Sequence, residues 1–123
     1  MLLEAARPSA MITGLREQGL RGPWLRLLRV LIDLAGPGMQ LLHHSEQAWS
    51  SATFHGARHT FNLLCEGIDG VAAGERLIAA LPDHEFTLPG RLVADAQIVS
   101  VDHGLLPSPS LTMTVALLVL DDD

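Results

Sequence analysis

Residues 110–120, SLTMTVALLVL, place Leu111, Met113, Val115, Leu117 and Val119 on one side of an extended strand. Side chains alternate across a strand, so five apolar residues in phase require a cover along that whole face. The other side, Thr112, Thr114, Ala116, Leu118 and Leu120, starts polar and turns apolar. Such a strand belongs in a sheet with one packed face and a second face that is apolar in part. Asp121, Asp122 and Asp123 end the chain in water.

Two segments are suited to cover that sheet. In residues 23–35, PWLRLLRVLIDLA, the polar side chains Arg26, Arg29 and Asp33 fall on one narrow helical stripe and all else is apolar. That pattern predicts a helix buried over most of its surface. Pro23 suits a first turn. Gly36-Pro37-Gly38 then breaks the helix, and the following MQLLHH is read as a further turn. Residues 69–81, DGVAAGERLIAAL, read as a second helix with Asp69 as cap and Pro82 past its end. Its apolar face is Val71, Gly74, Leu77, Ile78 and Leu81, and Gly74 there suggests close approach to a sheet.

The remaining strands follow from alternation. Residues 47–65 read as a hairpin, AWSSATF and RHTFNLLCE, with Phe61, Leu63 and Cys65 on one face. HGA lies between them, with Gly56 free to take a positive φ. This puts His55 at the loop and His59 at the entry to the second strand. Residues 91–102, RLVADAQIVSVD, form a third strand with Leu92, Ala94, Ala96 and Ile98 on one side and Val93, Val99 and Val101 on the other. Apolar residues on both sides suggest a central strand or a second covered face.

The expected fold is α+β, a two-layer sandwich of element order αββαββ. Its four-stranded, mainly antiparallel sheet carries both helices on one face. This is the ferredoxin-like order with its first strand moved to the end. An apolar back on the third and fourth strands predicts a cover by a second copy, hence a homodimer. Residues 23–123 make one α+β domain. Residues 1–22, with Pro8, Gly14, Gly19 and Gly22, are expected to be a poorly ordered leader or a docked arm.

Composition narrows the function. All eight basic residues are arginine, which excludes a Schiff-base lysine or a phosphate-loop lysine. The single cysteine, Cys65, excludes an internal disulfide and a multi-cysteine zinc site. The net charge is −6. Residues 1–30 carry five arginines against two acids, and residues 31–123 carry three against twelve. An acidic body repels phosphate backbones, so no nucleic-acid partner is expected of it. The basic start leaves open an arm that touches nucleic acid or an anionic membrane. No run of apolar residues is long enough to span a bilayer, and a cytoplasmic location is expected.

Six histidines offer chemistry, but no HxH, HExxH or His-with-Cys-pair spacing occurs. His55, His59, Asp102 and His103 would make a metal set if the first hairpin end lay near the end of the third strand, with nitrogens at about 2.0–2.1 Å from a zinc ion. Asp83, His84 and Glu85 read as helix-end solvation. Cys65 lies in an apolar strand and reads as an inert core residue. The glycines of GIDGVAAGE precede a helix, but Glu66 and Asp69 make that end acidic, so capping is the better reading. Trp49 and Arg58, with Met113 and Leu118, are the interface candidates.

The stretch from Trp49 to His59 reads W-x-S-A-T-F-x-G-x-R-H. With ALPDHEFTLPGRLVADAQIV further on, it resembles a group of small uncharacterised bacterial proteins sharing that core. The resemblance covers roughly residues 25–120 and brings no activity with it. The leading expectation is a non-catalytic module, needing no cofactor, that associates with itself and with a protein partner. The alternative is a small-ligand or metal-dependent enzyme with its His/Asp site at a dimer cleft.

Overall fold

The computed structural model describes residues 23–121. Helix α1 spans Trp24–Ala35, strand β1 Met39–Ser50, strand β2 His55–Glu66 and helix α2 Gly67–Ala80. A single 3-10 turn, Leu81–Asp83, leads toward β3, Arg91–Gly104, and β4, Ser110–Asp121. The four strands form one antiparallel sheet in the order β1-β2-β4-β3. The chain is α+β. The leader expected at residues 1–22 lies outside the described residues.

Both helices bury their apolar sides on one face of the sheet. Leu27, Leu31 and Ala35 of α1 and Ala73 and Leu77 of α2 are fully buried against Phe61, Leu63, Leu111, Met113, Val115 and Leu117. Burying a leucine-sized side chain contributes about 1.5–3 kcal/mol, so this layer supplies most of the stability. Gly74 decides how close α2 comes. A Cβ there would lie 3.1 Å from Cys65 Sγ and 3.2 Å from both Leu111 and Met113 side chains. The helix sits down on the sheet because that position is bare. Arg76 donates from Nε to the Ala35 carbonyl at 2.9 Å and ties α2 to the last turn of α1.

Several expectations are corrected. MQLLHH is the start of β1, not a helical turn. Gly36 (φ 88°) and Gly38 (φ 105°) turn the chain back along the sheet. A bulge at Leu42 breaks the alternation that would have marked the strand. The hairpin turn is Ser51–Phe54, not HGA. The Ser51 N–H donates to the Phe54 carbonyl at 2.7 Å, and the Ser51 hydroxyl accepts the Phe54 N–H at 3.1 Å. Gly56 lies inside β2 without a positive φ. It is needed for another reason: a Cβ there would lie 2.0 Å from the Val119 carbonyl oxygen and 2.8 Å from Leu120 Cα.

Strand β3 is an edge, not a central strand. Bulges at Ala94 and Val99 reset its alternation twice. Val93, Ala96, Ile98 and Val101 consequently pair with Val119, Leu117, Val115 and Met113, all of the helix-covered face. Its second face is Leu92, Asp95, Gln97, Ser100 and Asp102, which is mainly polar. Met113, an expected interface residue, is 1% exposed beneath α2 and belongs to the core.

Candidate functional site

His59 follows the alternation of Phe61, Leu63 and Cys65, so β2 carries it onto the helix-covered face, where it is 1% exposed. The register of β1 brings His44 to the same face, opposite Phe61. His44 Nε2 and His59 Nδ1 are 3.0 Å apart, so one ring donates a proton to the other. Trp24, in the first turn of α1, stacks on His44 with ring centroids 4.6 Å apart and planes 13° from parallel. Phe61 closes the far side of His44 at 4.8 Å. Four rings from one helix and two strands thus cluster at the N-terminal end of α1, with His44 half-buried and the other three buried.

Burial is the main reason the pair stays neutral. It lowers the pKa of His59 to about 4. It does the same for His44, with His59 and His43 adding to the effect and Glu46 opposing it. Removing a charge from water in a medium this apolar costs more than any neighbour returns. At neutral pH both rings are neutral, and the ring that donates the shared hydrogen bond keeps its other nitrogen's lone pair free.

Beside His59 lies a cavity of about 190 Å³, lined also by Pro23, Glu46, Gly56, Ala57, Arg91, Val119 and Asp121. One row across the sheet supplies its charged end. Ser50, His55, Asp121 and Arg91 are register partners there. Asp121 Oδ2 lies 3.3 Å from His55 Nε2, and Asp121 Oδ1 lies 3.2 Å from Arg91 Nε. Glu46, the cross-strand partner of His59, is exposed at the cavity. The site therefore combines a buried neutral imidazole, a guanidinium held by a carboxylate, and a second carboxylate.

The expected metal set does not assemble within the chain. His55 and His59 share a face, but the first hairpin end lies beside the start of β3. Asp102 and His103 are at its other end, paired with Thr112 and Leu111. Ten residues of strand separate the row of His55 from that of His103, roughly 33 Å. Among the described residues no three His, Cys, Asp or Glu side chains stand together as a metal site. His84 packs edge-on to Phe86 at 4.7 Å. Cys65 is buried, and burial raises its thiol pKa, which keeps it a thiol.

The sheet face away from the helices carries the other candidates. Trp49 pairs with Gly56, in the row of Leu120 and Leu92. Arg58 and Leu118 are partners in the next row. Leu92 is 52% exposed. Toward the far end the face becomes polar, with Thr114 Oγ1 donating to Asn62 Oδ1 at 3.1 Å. Trp49, Arg58 and Leu118 thus share one face, as an interface needs.

Sequence reasoning missed Trp24, His44, Glu46, Arg91 and Asp121. His59 carried a signal in its phase with the apolar residues of β2. His44 carried none, because the bulge at Leu42 precedes it. Comparison with known protein families, with curated proteins and with solved structures gives no match to this chain.

Proposed function

We propose that this protein is a non-catalytic association module that binds a second copy of itself through the open face of its sheet. The observation that supports this most is the placement of both helices on one side. Among the described residues no helix covers the opposite face, where half-buried Trp49 and Leu118 and exposed Leu92 lie around Arg58. An apolar strip rimmed by polar residues is the usual form of a protein–protein surface, with tryptophan and arginine as its anchors. In this reading the strand order is that of a ferredoxin-like sheet with its first strand moved to the end. The Trp49–His59 stretch is then one hairpin that helps build this face. We place the protein in the cytoplasm, where its lone cysteine stays reduced.

Native mass spectrometry of the untagged protein tests the reading, beside Leu118→Asp. A mass of twice the 13.2 kDa chain that falls to one chain in the variant supports it. A monomer at tens of micromolar (roughly the range that a weak two-copy contact needs) overturns it, as does an assembly unmoved by the substitution.

A second reading rests on the His59 cavity. A buried base beside Arg91, Asp121 and Glu46 suits a small-ligand enzyme better than a plain core. Stoichiometric small-molecule mass retained in the same spectra, and lost in His59→Gln, would favour it.

A further inference from the structure

Helix α1 is attached differently at its two ends. At its C-terminal end, Gly36 and Gly38 take positive φ on either side of Pro37. Arg76 holds the Ala35 carbonyl there. At its N-terminal end the helix rests on the sheet through Trp24, which lies flat on His44, which in turn is hydrogen-bonded to His59. Pro23, just before it, forms part of the wall of the His59 cavity. Between the two ends Leu27, Leu28 and Leu31 are buried.

We propose that the Trp24–His44–His59 stack is a proton-operated latch: when both imidazoles are protonated, the first turn of α1 lifts from the sheet and unroofs the cavity beside His59, while the rest of the helix stays docked.

The chemistry follows from the hydrogen bond. A His–His bond needs a lone pair on the receiving nitrogen, so the pair keeps its bond with one extra proton and loses it with two. A single charge on His44 is offset in part by the face of Trp24. A second charge has no such partner. The groups facing the pair do not neutralise it. Asp121 of β4 is already held between His55 of β2 and Arg91 of β3. Glu46 of β1 is the one acid without an ion-pair partner there among the described residues, and it is exposed. Arg91 adds positive charge, as does His43 on β1 when protonated. Arg26, near the start of α1, is exposed to water. The N-terminal end of the α1 dipole also points positive at this site. The cavity gives the proton a route to His59, which is otherwise sealed. The leucines beyond the first turn hold the helix down, which confines the opening to the turn that carries Trp24.

The proposal is independent of the self-association reading, because the latch and the open face lie on opposite sides of the sheet. Hydrogen exchange of the full chain, corrected for the intrinsic pH dependence of exchange, tests it between pH 7 and pH 4.5. Amides of Leu27, bonded to the Pro23 carbonyl, and Leu28 are expected to open at least tenfold more at the lower pH, while those of β2 and β4 do not change. His44→Phe combined with His59→Gln keeps flat rings at the contact, removes both bases and should abolish the rise. Unchanged protection at Leu27 and Leu28 overturns the proposal. So does opening of the helix and strands together, or a rise that persists in the double variant. If that variant does not fold, nitrogen NMR of the wild-type imidazoles decides. Titration of both rings below the ordinary range, in step with the opening, supports the latch, and titration near 6.5 without any opening sinks it.

Discussion

Two glycines show how a single atom sets the architecture, and they differ in what that atom would meet. At Gly56 a Cβ would strike backbone, the Val119 carbonyl and Leu120 Cα, at 2.0 Å and 2.8 Å. Neither can move without parting β2 from β4. Gly56→Ala is therefore expected to cost about 2–4 kcal/mol, read as a lower urea midpoint at unchanged slope. At Gly74 a Cβ would meet the Cys65 sulfur and the ends of Leu111 and Met113, at 3.1–3.2 Å. These ends can yield by a few tenths of an ångström. Alanine also favours a helix interior over glycine by roughly 0.5–1 kcal/mol. The two effects nearly cancel, so Gly74→Ala should change stability by less than about 1 kcal/mol, whereas Gly74→Leu should cost several times more. The sequence exposed half of this. Gly74 was legible as a close-approach residue because it lies on the apolar face of a helix. Gly56 was legible as a needed glycine but for the wrong reason, since a clash with a strand more than sixty residues away leaves no local pattern.

Elements were legible where a period ran unbroken, and illegible where a bulge interrupted it. α1, α2, β2 and β4 each carry one clean stripe or alternation, and all four emerge near their expected limits. β1 and β3 are the edge strands, and they hold the bulges at Leu42, Ala94 and Val99. An inserted residue reverses which face every later side chain occupies, so alternation alone assigned β3 the wrong faces and left only the last four residues of β1 in the expected strand. The histidine pair was lost for the same reason, as His44 reaches its partner only through the bulged strand. The joint between α1 and the sheet should also show in the pH dependence of stability. Both folded-state pKa values lie near 4, below the ordinary 6.5. For a base the sign is clear: the unfolded chain takes up protons first as pH falls. Stability is thus complete above about pH 6.5 and is lost as pH drops toward 4. Allowing for the partial exposure of His44, the loss is roughly 1–3 kcal/mol for the pair. Urea melts at pH 7 and pH 4.5 should show it, and His44→Phe with His59→Gln should flatten the difference. A wild-type midpoint that does not fall between these two values would mean the pair is already hydrated when folded.

At the scale of the whole molecule, the question is which surface remains for another chain to use. A sheet offers two edges and one open face here. The edges are poor templates: β1 is bulged at Leu42 and β3 at Ala94 and Val99, which twist the unpaired backbone groups out of line. Among the described residues, the face away from the helices has no bulge in its central strands. Its central strands β2 and β4 run in unbroken register from Gly56 opposite Leu120 to Glu66 opposite Ser110. Trp49, Leu118 and Leu92 crowd the end nearest the β1–β2 turn. Arg58 beside Leu118 sets the polarity of any contact, because a like-charged copy must place that guanidinium against an acid, and Asp95 is the register neighbour of Leu118 on β3. In the proposed dimer, a two-fold arrangement across this face would let each Arg58 meet the other copy's Asp95. Charge reversal then separates this geometry from every edge-to-edge alternative. Arg58→Asp should dissociate the pair, with a rise in dissociation constant of tenfold or more, and Asp95→Arg in the same chain should restore part of the lost affinity. Val99→Lys, a charge placed on the exposed β3 edge, should leave the assembly mass unchanged. Sedimentation velocity on the three variants and the wild type reads all of this in one series. Dissociation by Val99→Lys with none by Arg58→Asp would move the interface from the face to the edge.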